Sequence, residues 1–141
     1  MEALGREFNP VAVADDVYVN LQDAGGVTFL GYLATTGDTF TITEAKTAAG
    51  GSAQVLATVE RYHTSNGVGG TWTLNTQAAG SAVTKTSASA QNAVVIEIEA
   101  PELSDTYKYV KCTSTGAGTV VAILRDLHVQ RKAANLPSVI A

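Results

Sequence analysis

The sequence predicts an all-β protein, an antiparallel β-sandwich of jelly-roll-like kind, and three observations carry that prediction. Runs rich in Val, Ile, Thr, Tyr and Phe recur between turn signals at the 8–12-residue spacing of sandwich folds, which gives about eight or nine short strands. No long amphipathic helix separates them. The apolar 45% of the 141 residues contains only three Phe and one Trp. A composition leaning on Ala, Val and Thr suits closely spaced sheets better than a large aromatic-lined cavity.

Taken in order, residues 1–16 read as an N-terminal arm, because Asn9-Pro10 discourages a continuing helix. A single sandwich domain is expected over residues 17–131, followed by a C-terminal tail over 132–141. Val17, Val19 and Leu21 alternate with Tyr18, Asn20 and Gln22, which marks a first strand, and Asp23-Ala24-Gly25-Gly26 reads as a turn. Val27–Ala34 is a second strand, with Gly31 marking a bulge or a close approach. Thr39–Ala45 is the clearest half-buried strand, with Phe40 and Ile42 on one face and threonines on the other. Residues 54–63 fit a strand by their Gly-rich flanks; the spacing of Leu56, Val59 and Tyr62 leaves a helix as the alternative. Thr71–Leu74 is a short strand, and Thr76–Ala90 a long loop with one weak strand near Ala82–Thr86. Ala93–Glu99 is a strong strand, and Pro101–Asp105 one helical turn. Tyr107–Arg131 reads as a hairpin around Gly116-Ala117-Gly118. Its second run, Val120, Val121, Ile123 and Leu124, is as continuous as a strand near the sheet centre.

Size and charge narrow the function classes. A chain of this length buries one core without disulfides or metals. The net charge is −4, only 16% of residues are charged and there is one cysteine. Without a basic stripe, direct nucleic-acid binding is not expected. Cys112 alone makes no intrachain disulfide, which is compatible with a reducing cytosol. The first ten residues lack the basic-then-apolar pattern of a signal peptide, and no apolar run approaches the ~20 residues of a membrane helix.

Candidate chemistry is thin. Cys112 falls on the inward parity of its strand and reads as a buried thiol, not a nucleophile, and His63 and His128 are the available bases. No Gly-x-Ser-x-Gly elbow occurs. Asp15-Asp16 reads as a turn or a negative contact patch, and Glu97 and Glu99 as the solvated face of a strand, so no metal or cofactor is expected. Gly67–Gly70 and Gly116–Gly118 lack the Lys-Ser/Thr of a phosphate loop. Trp72 with Tyr62 and neighbouring tyrosines could form a stacking platform for a host glycan, against the plainer reading of Trp72 as a core plug. Lys108, Lys111, Arg125, Arg131 and Lys132 form a basic cluster around the last two strands, suited to an acidic partner or simply to solvent.

Several segments fall into a further pattern. Phe40-Thr-Ile-Thr-Glu-Ala is followed by Gly69-Gly70-Thr71-Trp72, then by Val94-Val-Ile-Glu-Ile, then by Tyr107-Lys-Tyr-Val-Lys with the Gly116-Ala-Gly-Thr turn, and the chain ends in a polar tail with Pro137. Over roughly residues 15–137 this resembles the small head decoration or minor capsid proteins of tailed bacteriophages. It departs from them in carrying Cys112 and in the weak segment 76–90. The resemblance implies a non-enzymatic sandwich on the outer surface of an assembled capsid, with the major capsid protein as partner and a trimer as the oligomer. Its location would be the virion, after synthesis in the host cytoplasm. The two terminal arms are the expected contacts, Phe8, Asn9 and Pro10 in the first and Leu136, Pro137 and Val139 in the second, because apolar side chains in structureless tails need a partner surface to bury them.

Overall fold

The computed structural model describes residues 3–11, 16–33, 37–66, 69–86 and 92–135. They form two antiparallel sheets face to face, an all-β sandwich. The strands are β1 (Phe8–Val11), β2 (Val19–Asn20), β3 (Ala24–Tyr32), β4 (Asp38–Ala45), β5 (Gln54–Val55), β6 (Val59–Asn66), β7 (Thr73–Gly80), β8 (Ala82–Lys85), β9 (Asn92–Glu99), β10 (Tyr109–Ser114) and β11 (Thr119–Leu127). The larger sheet runs β1-β11-β3-β9-β6-β7. The smaller runs β2-β10-β4-β5, with β8 also pairing β4. β1-β11-β3-β9 and β2-β10-β4-β5 exchange the chain between layers in the manner of a jelly roll, and β6–β8 are an excursion from it.

Period-two alternation builds the core. Phe40 and Ile42 of β4, Val27 and Phe29 of β3, Val94, Ile96 and Ile98 of β9 and Val110 of β10 all turn inward and are buried. A buried side chain of the size of Phe40 stabilises the fold by about 2–3 kcal/mol. Gly31 is a close approach, as its position suggested: a Cβ there would sit 2.5 Å from the Phe40 ring.

Five expectations need correction. The first strand shrinks to Val19–Asn20, although Val19 and Leu21 are buried. The expected turn at 23–26 is already strand, because β3 begins at Ala24 and pairs with β11 as far as Leu127. β7 continues to Gly80 where a loop was expected; β8 matches the weak strand. Residues 8–11 are not an arm but an edge strand, Phe8 opposite Arg125 and Pro10 opposite Ile123. Proline is tolerated there because an edge needs no donor on its open side. Residues 54–63 are strand on both sides of a break, β5 and the start of β6.

The fifth correction is the largest. β10 and β11 are not a hairpin: β10 pairs with β2 and β4, and β11 with β1 and β3. The Gly-Ala-Gly segment is an arch from one sheet to the other, closed around the buried Asp38 at the start of β4. One carboxylate oxygen of Asp38 accepts the amides of Thr39, Thr115 and Gly116 at 2.7, 2.9 and 2.8 Å. The other accepts the Ser114 hydroxyl. A Cβ at Gly118 would lie 2.5 Å from Asp38 Oδ2 and 2.7 Å from the Tyr32 carbonyl oxygen, so only glycine fits.

Candidate interaction surface

Opposite the core, the larger sheet presents a row of side chains that is apolar except at His63. Register places Val121 beside Leu30, Leu30 beside Val95, Val95 beside His63 and His63 beside Leu74. Directly opposite residues share a face, so these five strands present the row together. Below it run Pro10, Ile123, Thr28 and Glu97, then Phe8, Arg125, Gly26 and Glu99. Leu30, Val95, Val121 and Ile123 are half-buried, and Phe8, Tyr32 and Leu74 are exposed. Arg125 reaches across β3 to the Glu99 carboxylate and also bonds Asp126 at 2.8 Å. The Glu99 bond raises the Arg125 pKa against the opposing effect of burial. Beside the row, an open groove of about 450 Å³ is lined by Tyr62, His63, Leu74, Val95, Glu97 and Glu102 among others.

The outer face of the smaller sheet has different chemistry. Thr39, Thr41 and Thr43 alternate out of β4, with Thr84 opposite Thr39, Thr113 opposite Thr41 and Lys111 opposite Thr43. The hydroxyls of Thr39 and Thr84 are 2.9 Å apart. Lys111 is ion-paired with Asp16 and stands 4.8 Å from the Tyr18 ring. The Lys111 bond holds the Asp16 carboxyl below its ordinary range. Hydroxyls and pairs already satisfied within the chain dominate this surface.

The buried carboxylates are structural. Glu44, fully buried, accepts Gln54 Nε2 and Ser104 Oγ at 2.6 Å each and the Ser104 amide at 2.9 Å, tying β4 to β5 and to the segment before β10. For Asp38, burial pushes the carboxyl pKa up. The bonds from Ser114, Gly116, Thr39 and Thr115 outweigh it and hold the group below the usual carboxylate range.

The expected site residues are scattered. Phe8 and Pro10 do face outward, contiguous with the apolar rows. Asn9 does not: it lies opposite the buried Leu124 and is itself buried. Leu136, Pro137 and Val139 lie outside the described residues. Trp72 is 52% exposed, which overturns its reading as a core plug. It does not share a platform with Tyr62, which is half-buried, sits opposite Ile96 and packs against the core. Cys112 faces the core from the smaller sheet, whereas His63 lies on the outer side of the larger one and His128 is exposed beyond β11. The basic cluster divides, Arg125 going to Glu99 and Lys111 to Asp16 on the opposite sheet. Among the described residues no three His, Cys, Asp or Glu side chains converge as metal ligands.

Sequence reading missed the apolar row. Its signal was present in the unbroken runs Val120-Val121 and Val94-Val95-Ile96, which put apolar residues on both parities. Fold and surface together define an antiparallel β-sandwich whose larger sheet carries a mostly apolar row on its outer face and whose smaller sheet presents threonines. Comparison with protein-family models, curated proteins and solved structures found no match.

Proposed function

We propose that the protein is a non-enzymatic structural component of a phage virion that binds the outer surface of an assembled capsid and stabilises it, with the major capsid protein as partner. The observation that supports this reading is the half-exposed apolar face of the larger sheet, extended at its edge by Phe8 and Pro10. Contiguous apolar surface on a folded domain marks a contact site. A shell repeats the same site many times, so modest affinity per contact suffices once several are engaged together. The test is co-sedimentation of purified protein with assembled shells and with unassembled capsid subunits. Binding to shells alone is expected; binding to neither would overturn the reading.

One observation favours a second reading, a tail- or fibre-associated module that binds host glycan: the Trp72 ring is exposed. Trp72→Ala would then abolish glycan binding with shell binding intact. A decoration protein has no glycan binding to lose.

A further inference from the structure

An unpaired sheet edge invites another strand, and natural sandwiches blunt their edges with shortness, proline, charge or cover. Three of the edges here are blunted. β2 and β5 are two residues each, and the four-residue β8 ends on Lys85. β1 carries Pro10, which has no N–H, and the Phe8 carbonyl already accepts the Gly5 amide at 2.8 Å from the turn that precedes it.

β7 carries neither proline nor charge along its first half, and of its carbonyls Thr73 O accepts the Asn75 side-chain amide at 2.9 Å. From Thr71 to Ala82 the sequence carries no charge and no proline. Thr73 to Thr76 lie opposite Thr64 to Arg61 in regular register. The ladder then breaks, with four residues of β7 spanning two of β6. Thr73–Thr76 is therefore the flat part of the edge, and among the described residues its strand partner is β6 alone. Two of the large exposed apolar side chains of the molecule stand here, Trp72 at 52% and Leu74 at 44%.

We infer that this edge pairs, antiparallel, with the same edge of a second copy of the chain. Because the opposite edge of the sheet is blunted at β1, edge-to-edge association joins β7 to β7 and does not run head to tail. It closes on itself about a two-fold axis, giving a dimer and not a filament. The neutral segment lets identical strands approach without like-charge repulsion. A two-fold normal to the sheet requires opposite residues to face the same side, so the pairing centres on a residue and not between two. Centring on Leu74 sets the two Leu74 side chains together and brings each Trp72 against Thr76 of the other copy, covering both exposed side chains. The apolar row then continues across the dimer as one wide face. This two-fold arrangement differs from the trimer that the resemblance implies, and it does not depend on shell binding.

Sedimentation equilibrium of the full chain tests it. A dimer is expected for the unaltered protein, with loss of the dimer in Leu74→Lys, which places two like charges at the axis. A monomer or trimer for the unaltered protein would overturn the inference, as would a dimer that survives Leu74→Lys. If the lysine variant fails to fold, Leu74→Cys decides: a short bifunctional thiol reagent should link it into dimers, while the unaltered protein, whose one cysteine is buried, should stay unlinked. Absence of linked Leu74→Cys dimers would overturn it.

Discussion

On β4 the side chains that turn away from the core are Thr39, Thr41 and Thr43; on β11 they include Val121 and Ile123 at the centre, between Thr119 and Arg125. Both strands bury their other face in the same core, yet one presents hydroxyls to solvent and the other hydrocarbon. Threonine is β-branched and suits an extended backbone while leaving a polar surface. Valine and isoleucine suit the backbone equally and leave a surface that gains by being covered. Strand formation alone therefore does not account for the apolar choice on the larger sheet, and the proposed contact with a capsid surface would account for it.

The arch around Asp38 ties the two layers together. Asp38→Ala should have the largest effect of these changes, about 3 kcal/mol or more in chemical denaturation, because it removes one shared acceptor of the Ser114 hydroxyl and of the Thr39, Thr115 and Gly116 amides. A cost below about 1 kcal/mol would mean the arch does not fix the layers. Gly118→Ala should act in the same direction through its clash with the carboxylate and the Tyr32 carbonyl.

The same group gives the molecule an acid sensitivity. Its folded pKa is depressed below the ordinary 3.8. The stability it contributes is thus full above that value and lost as pH falls through the lower folded one. Denaturation midpoints measured down through this acid range should fall for the unaltered protein and fall less for Asp38→Asn. Parallel profiles would remove Asp38 as the cause.

Much of the sandwich is legible in the sequence because alternation is a local property. β4 and β9 can be read directly, and so can the inward parity of Cys112. What a turn connects is not local. A Gly-Ala-Gly segment between two strands serves a hairpin or an arch equally well, and only Asp38, remote in sequence, decides. Glu44 continues the inward parity of Phe40 and Ile42, but its burial depends on Gln54 and on Ser104, 60 residues away. The unbroken run of β11 has two physical meanings, burial on both faces within the chain or one face left for a partner. Parity alone does not distinguish them.

Smaller effects sharpen the contrast between the faces. In the monomeric Leu74→Lys background, Trp72→Ala removes an exposed ring and should shift stability by no more than about 0.5 kcal/mol. A loss of several kcal/mol would restore it to the core. Thr41→Val, on the polar face, should be close to neutral, within about 0.5 kcal/mol, since its methyl packing is retained and its hydroxyl faces solvent.

The most direct measurement compares the faces by binding. Leu30→Ser combined with Val121→Ser removes hydrocarbon from the middle of the apolar row, and Thr41→Glu combined with Thr113→Glu places charge on the threonine face. Each pair is mixed with assembled capsid shells and sedimented, with circular dichroism confirming the fold. The larger-sheet pair should lose co-sedimentation, and the smaller-sheet pair should retain it. Retention by the first pair with loss by the second would place the contact on the wrong side of the sandwich and contradict the account.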